Sequence, residues 1–299
     1  MKWNKYALKT KSYAVDLVSG IFMELGIEGL EILENGESEE VQVIFYLEEN
    51  ADPDILSELS RNLDGIREFV DIGDAAISVS VTEDTEWVNN WKKYFKSFNV
   101  DDMIIKPAWE KTGVETEGKM LISIDPGTSF GTGKHETTRL CIRQLKKHVR
   151  TGDAILDVGC GSGILSVVAA KLGAGQITGI DIEEDAVEAA VENVRINGIE
   201  AGTIRLLQGD MISSREIRDT IGYECYDIVV ANILAVVIVP LTPFVADHLK
   251  PGGIYIISGM LDTQEPAIRR ALDETGKFEI MDRTEEGDWI SMTARKIIR

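Results

Sequence analysis

Clustered cysteines, grouped histidines, unbroken apolar runs and basic residues are all scarce in this chain, and each scarcity removes a class of protein. Its three cysteines, Cys141, Cys160 and Cys225, are widely spaced and form no CxxC pair. Neither a disulfide framework nor a structural zinc is therefore expected. The three histidines, His135, His148 and His248, make no ligand cluster either, so no metal is expected. The opening residues Met1-Lys2-Trp3-Asn4-Lys5-Tyr6 hold no apolar run of signal-peptide length and no small-residue cleavage site, which points to the cytoplasm. The longest apolar stretch, Ile228 to Ala246, is interrupted by Asn232, Pro240, Thr242 and Pro243. It reads as a buried strand, a loop and a helix over Pro240 to Leu249, not as a membrane span. Against 51 Asp and Glu stand only 31 Lys and Arg, a net charge of −20. Nucleic-acid binding is driven by Lys and Arg neutralising phosphates, so no stable nucleic-acid partner is expected and a basic protein suits better.

What is present divides in two. A chain of 299 residues exceeds the usual single domain, and its 44% hydrophobic content is enough to bury a full core. Residues 1–80 alternate strand and helix patterns: a strand from Trp3 to Thr10, and a helix from Ser12, as its N-cap, to Leu25, stopped by Gly26. Strands at Gly29 to Glu34 and Val41 to Glu48 follow, joined by the turn Asn35-Gly36-Glu37-Ser38. A helix opened by Pro53 and a strand at Ile77 to Val81 complete the order. This β-α-β-β-α-β order is the ferredoxin-like α+β arrangement, which fixes no function. In residues 81–118, Trp87, Trp91, Phe95 and Phe98 fall on one stripe of a linker helix. Met103 to Trp109 then begins a small hairpin with Lys119 to Asp125. From 119 to 299, strands at Ala154 to Val158, Gln176 to Asp181, Ile204 to Gln208, Tyr226 to Ala231 and Ile254 to Ser258 alternate with helices. They imply a doubly wound, Rossmann-like parallel sheet, finished by a hairpin over Phe278 to Thr284 and Asp288 to Lys296. Such a seven-stranded sheet resembles the methyltransferase fold.

Chemistry concentrates where the first of these strands ends. Asp157-Val158-Gly159-Cys160-Gly161-Ser162-Gly163 follows a strand and opens a helix, so Gly159, Gly161 and Gly163 leave backbone bare for a close ligand. Dinucleotide enzymes need G-x-G-x-x-G, but Ile164 stands where the third glycine belongs, which favours a nucleoside without a pyrophosphate. Asp181 lies 22 positions after Gly159 at the end of the next strand, where an acid reaches ribose hydroxyls. Asp210, after the third strand, suits an adenine amino group or, equally, a cap on the following helix. A second glycine-rich segment, Asp125 to Thr138, lacks the Gly and Ser or Thr of a Walker loop at Thr128 and His135. It reads as a lid whose Thr137 or Thr138 helps to hold the methyl donor. Asn232 ends the fourth strand at the same crevice, and its side-chain carbonyl can orient an amine nucleophile.

Taken together, Asp125 to Thr138, Asp157 to Leu165 and Asn232-Ile233-Leu234-Ala235 resemble the ribosomal protein L11 methyltransferase (PrmA) family, from the Trp87 and Trp91 segment to the terminal hairpin. The resemblance implies S-adenosylmethionine as methyl donor, held by Thr138, Gly159, Asp181 and Asn232. It also implies an N-terminal domain that recognises the ribosomal protein, and repeated methylation of lysine ε-amines and an N-terminal α-amine. No general base stands out, His135 being a candidate that can equally stabilise its loop. The rival readings are a methyltransferase for a nucleobase or small molecule and a ribosome-assembly binding protein without turnover. The first lacks the Pro-Pro-aromatic platform on which an extruded base stacks, because Ile233 and Leu234 follow Asn232.

Overall fold

The computed structural model describes residues 3–15, 18, 21–22, 25, 27, 31–34, 40–48, 54–67, 70–82, 97–110, 118–125 and 136–298. Gly26, the turn at 35–38, Pro53 and the aromatic positions Trp87, Trp91 and Phe95 lie outside the described residues. The chain separates into two compact units, Met1–Tyr94 and Phe95–Arg299.

In the first unit, strands β1 (Trp3–Lys11), β2 (Glu31–Glu34), β3 (Glu40–Glu48) and β4 (Ile77–Thr82) pair antiparallel in the order β2-β3-β1-β4. Helix α1 (Asp54–Arg67) turns Leu59 and Leu63, four positions apart, onto Leu8, Phe22, Val43 and Phe45. The Tyr6 and Phe45 rings stack within that core at 5.1 Å. Ser12 is not a helix cap. Lys11 takes the cap position, and Ser12–Ala14 form a tight 3-10 turn ahead of the helical residues Val15, Val18, Ile21 and Phe22.

The second unit opens with a small sheet of β5 (Phe98–Val100), β6 (Met103–Pro107) and β7 (Met120–Ile124). The expected hairpin between the last two strands is not formed. They run parallel, with Met103 opposite Met120 and Pro107 opposite Ile124. Twelve residues, Ala108 to Lys119, separate the two strands, which is the length that a parallel crossover needs. The true hairpin joins β5 to β6 through Asp101-Asp102, with Asp101 at φ 52°, a left-handed conformation that Asp tolerates. Phe98, expected at the end of a helical stripe, consequently begins a strand.

Seven strands form the main sheet: β8 (Ala154–Val158), β9 (Gln176–Asp181), β10 (Ile204–Gln208), β11 (Tyr226–Asn232), β12 (Leu249–Leu261), β13 (Phe278–Glu286) and β14 (Trp289–Lys296). Their order is β10-β9-β8-β11-β12-β14-β13, the first five parallel and β14 antiparallel to both neighbours. Helices α2 (Glu136–His148), α3 (Ile164–Lys171), α4 (Glu184–Ile196), α5 (Arg215–Ile221), α6 (Ala235–His248) and α7 (Glu265–Thr275) accompany them. Along β11, Ile228 and Val230 join a core cluster with Ile142 and Val167, while Val229 and Ala231 join Ile238, Leu241 and Val245. Burial on both faces is why the central strands read as continuous apolar runs.

Helix α6 starts at Ala235, earlier than the Pro240 expected from proline's preference for first turns, and contains both Pro240 and Pro243. The hydrogen bonds these prolines remove would have ended on the carbonyls of Val236 and Val239, two residues on the exposed side, where solvent can reach. The apolar stretch from Ile228 to Ala246 is thus a strand and most of a helix. Among the described residues no helix is long and apolar enough to cross a membrane. The sheet order reverses between β8 and β11, since β8 leads through α3 to one side and β11 through α6 to the other. A crevice opens beyond the carboxyl ends of two strands that diverge in this way.

Candidate active site

That crevice is a cleft of about 560 Å³, and Thr138, Gly159, Gly161, Asp181, Asp210 and Asn232 line it together. Each is delivered by a different feature of the fold: Thr138 by the first turn of α2, the glycines by the β8–α3 turn, Asp181 and Asn232 by strand ends.

All three glycines of the turn have left-handed backbone, at φ 71°, 52° and 74° for Gly159, Gly161 and Gly163. L-residues pay about 1–2 kcal/mol for that conformation. Gly161 donates its N–H to Asp181 Oδ2 at 2.8 Å, tying the turn to the end of β9. Gly159 lies so close to Ile233 that an added Cβ would overlap the isoleucine Cγ2. Gly163 does not line the cleft. It occupies the N-cap of α3, where a Cβ would come within 2.9 Å of the Ala190 Cβ, and it lets α4 approach.

The carboxylates are held in place before any ligand arrives. Asp181 Oδ1 accepts the Glu183 N–H at 3.1 Å. Asp210 accepts the Ile212 N–H at 2.7 Å. The Ser213 hydroxyl, followed by backbone N–H groups, holds the Asp210 carboxyl below the usual carboxylate range despite its partial desolvation. Ser214, not Asp210, caps α5 by accepting the Ile217 N–H at 3.3 Å. Asp210 is therefore an ionised acceptor on the cleft wall.

Asn232 Nδ2 donates to Thr138 Oγ1 at 3.3 Å. Its carbonyl oxygen is buried at the cleft and has no hydrogen-bond partner among the described residues. An unmet buried acceptor is costly, and it becomes an asset where an incoming N–H can meet it.

Charge decides what the cleft can take. Among its described lining residues the ionisable side chains of permanent charge are Asp181, Glu183 and Asp210, all acidic, with no Lys, Arg or His. Such walls repel a phosphate-bearing ligand and favour a neutral or cationic nucleoside. Cys160 also lines the cleft, but burial pushes its thiol well above the usual range, so it is no thiolate nucleophile. Behind the turn, Asp157 is buried and its carboxyl is pushed up to about 7, chiefly by loss of hydration, against the hydrogen bond from Ser166 Oγ at 2.7 Å.

Among the lining residues that escaped the sequence are Gly259 and Trp289. Gly259 follows the β12 residue paired with Asn232 and is at φ 88°, with the Ile233 backbone where its side chain would stand. A glycine just after Ser258 in an apolar strand was the available signal. Trp289 reaches the cleft from the terminal hairpin, and nothing local announces it. The glycine-rich segment at 126–135, including His135, lies outside the described residues.

Known proteins share sequence and fold with this chain. The profile of the ribosomal protein L11 methyltransferase (PrmA) family matches residues 2–297. The ribosomal protein L11 methyltransferase of Lachnospira eligens is 43% identical, over 99% of this chain and 100% of that protein. That of Lachnoclostridium phytofermentans is also 43% identical, over 99% of each chain. Among solved structures, the ribosomal protein L11 methylase of Lactobacillus delbrueckii subsp. bulgaricus superposes with a TM-score of 0.61 at 32% identity, covering 68% of this chain and 100% of that one.

Proposed function

Because the chain belongs to the ribosomal protein L11 methyltransferase family, we propose that it transfers methyl groups from S-adenosylmethionine to lysine ε-amines and the N-terminal α-amine of ribosomal protein L11. The observation that carries the chemistry is the buried, unpartnered Asn232 carbonyl at a cleft walled by acids.

The residues present fit the donor. The bare backbone of Gly159 and Gly161 admits a nucleoside, Asp181 suits its ribose hydroxyls, and ionised Asp210 accepts from an adenine amino group. Acidic walls without a base suit a molecule carrying a sulfonium charge. When bound, that donor supplies an electrophilic methyl group, so the protein needs no covalent relay. Asn232 Oδ1 accepts a hydrogen bond from the acceptor amine and turns its lone pair toward the methyl carbon, while Thr138 fixes the carboxamide through Nδ2. Holding the reactants in line is worth about 7–11 kcal/mol of the barrier. A lysine with an ordinary pKa of about 10.4 must shed its proton first, which desolvation in an apolar cleft mouth favours.

The division of labour we infer gives residues 1–80, read as ferredoxin-like from the strand order β2-β3-β1-β4, to recognition of the ribosomal protein. Residues 81–118 hold the linker and the start of the small sheet, whose strands β5 and β6 belong to the second unit, and residues 119–299 form the catalytic domain, acting in the cytoplasm. A net charge of −20 favours a basic protein over nucleic acid.

Intact-mass measurement of purified ribosomal protein L11 after incubation with the enzyme and donor tests the activity. Mass rising in steps of one methyl is expected, and an unchanged mass overturns the proposal. Asn232→Ala is expected to lower kcat about 100-fold, the typical cost of one oriented polar contact at a reacting centre, with a much smaller loss of donor affinity.

A further inference from the structure

Helix α4 and its C-cap carry Ala186, Ala190, Asn193 and Asn197 at spacings of four, three and four, which is one face of a helix. Asn193 is completely buried on that face. A buried carboxamide is costly unless its donors and acceptor are met. Here they are met by the backbone of two separate segments. Asn193 Oδ1 accepts the Asp125 N–H at 2.7 Å, and Nδ2 donates to the Asp125 carbonyl at 2.8 Å and to the Ser162 carbonyl at 2.9 Å. Asp125 follows the end of β7, and Ser162 lies between Gly161 and Gly163 in the cleft-lining turn.

One helical turn further on, Asn197 makes a matching clamp. Its Oδ1 accepts the Ser123 N–H at 2.9 Å and its Nδ2 donates to the Ser123 carbonyl at 2.6 Å. Asn197 thus grips the same strand but makes no bond to the glycine turn. The two side chains are alike in chemistry and differ in burial and in whether they bond to the glycine turn. The approach of α4 depends on Gly163, where any side chain would strike Ala190.

We propose that Asn193 is a positioning residue for the methyl donor: by joining the Ser162 carbonyl to the Asp125 backbone, it fixes the peptide planes of the glycine turn. With those planes fixed, the Gly161 N–H keeps its direction toward Asp181. The inference rests on the assignment of the cleft to S-adenosylmethionine. Neither Asn193 nor Asn197 lines the cleft, so neither touches the donor.

The test compares full-length wild type, Asn193→Ala and Asn197→Ala by thermal melting, by calorimetry with S-adenosylmethionine and its demethylated product, and by steady-state kinetics. Asn193→Ala removes the hydrogen bonds of a completely buried side chain and Asn197→Ala those of a half-buried one, so both are expected to lower the melting temperature, the first by more. Only Asn193→Ala is expected to weaken donor binding about tenfold and raise the donor KM with it, leaving kcat at saturating donor within about twofold. Where alanine prevents folding, Asn193→Ser, whose hydroxyl can meet one partner, replaces it under the same criterion. Donor binding within about twofold of wild type in the Asn193 variant, or an equal weakening in Asn197→Ala, overturns the role of Asn193. A wild-type protein that takes up neither ligand overturns the assignment of the cleft instead.

Discussion

Asp157→Asn separates the cost of a buried charge from the need for a polar group in the middle of the sheet. Asp157 stands on β8 between β9 and β11 and is 1% exposed. One carboxylate oxygen accepts from Ser166 and the other has no partner among the described residues. Loss of hydration is the main reason its pKa rises from 3.8 to about 7. The Ser166 hydrogen bond opposes that rise and the charge of Asp181 adds to it. Between those two values the folded protein keeps a proton that the unfolded chain has released. Its contribution is therefore complete below about pH 4, declines by about 1.4 kcal/mol per pH unit as the pH rises, and levels off above about 7. Asparagine has nearly the same shape, keeps an acceptor for Ser166 and cannot ionise. The stability of the variant minus that of wild type should rise by about 3 kcal/mol between pH 5 and pH 8, read from urea titrations at each pH. A difference that stays flat, or grows toward acid, refutes the reasoning. Donor selectivity should move with the same proton. S-adenosylmethionine carries one more positive charge than its demethylated product, so wild type should favour the donor increasingly as Asp157 ionises. Calorimetric affinity ratios at pH 6 and pH 8 should show that increase in wild type and not in the variant.

Other substitutions test the cleft itself. Asp181→Ala removes both the partner of the Gly161 N–H and the acceptor proposed for the ribose. Hydrogen bonds to charged groups are worth about 1.5–3 kcal/mol, so donor affinity should fall about 10- to 100-fold, and calorimetry within about twofold of wild type would count against the assignment. Gly159→Ala forces a left-handed backbone at φ 71° and a clash with Ile233. The two effects cost about 1–2 and about 1–3 kcal/mol. Adding Ile233→Ala clears the clash but not the backbone strain, so the double variant should be more stable than the sum of the singles by about 1–3 kcal/mol, and strict additivity would show that the clash is not the cause.

How much of this was legible depended on whether the deciding physics was local. The β8 strand, its glycine turn and α3 were read nearly to the residue, because alternation, left-handed glycines and a helical period all lie within one short stretch of chain. Asn232 ends β11, the position at which the apolar run of the sequence stops, for the same local reason. The pairing of β6 with β7 was misread, because apolar patterning identifies strands but not the path of the chain between them. Helix α5 was implied only through the reading of Asp210 as a cap, and α7 was not anticipated. The first is only seven residues long, and its marker is the single cap Ser214. Trp289 joins the cleft because β14 lies beside β12, a consequence of sheet order that no window around position 289 contains. The start of α6 was misplaced because Pro240 and Pro243 lie inside the helix, leaving unbonded only the carbonyls of the exposed residues Val236 and Val239.

The missing third glycine of a dinucleotide fingerprint acquires a structural meaning here. In that fingerprint the last glycine lets helix and strand pack closely. In this chain Gly163, one position earlier, does a related job against α4, and Ile164 puts a buried side chain where the fingerprint has none. Ile164 belongs both to the cleft wall and to the core formed with Ile155 and Val167. Shrinking it to make room for a pyrophosphate would therefore open a cavity in that core, at the usual cost of about 2–5 kcal/mol for removing a large aliphatic side chain. The proposed preference for a nucleoside without phosphates would thus rest on the packing of β8 against α3 as well as on the acidic walls. Adding a lysine to the cleft would alter the charge and leave the volume wrong.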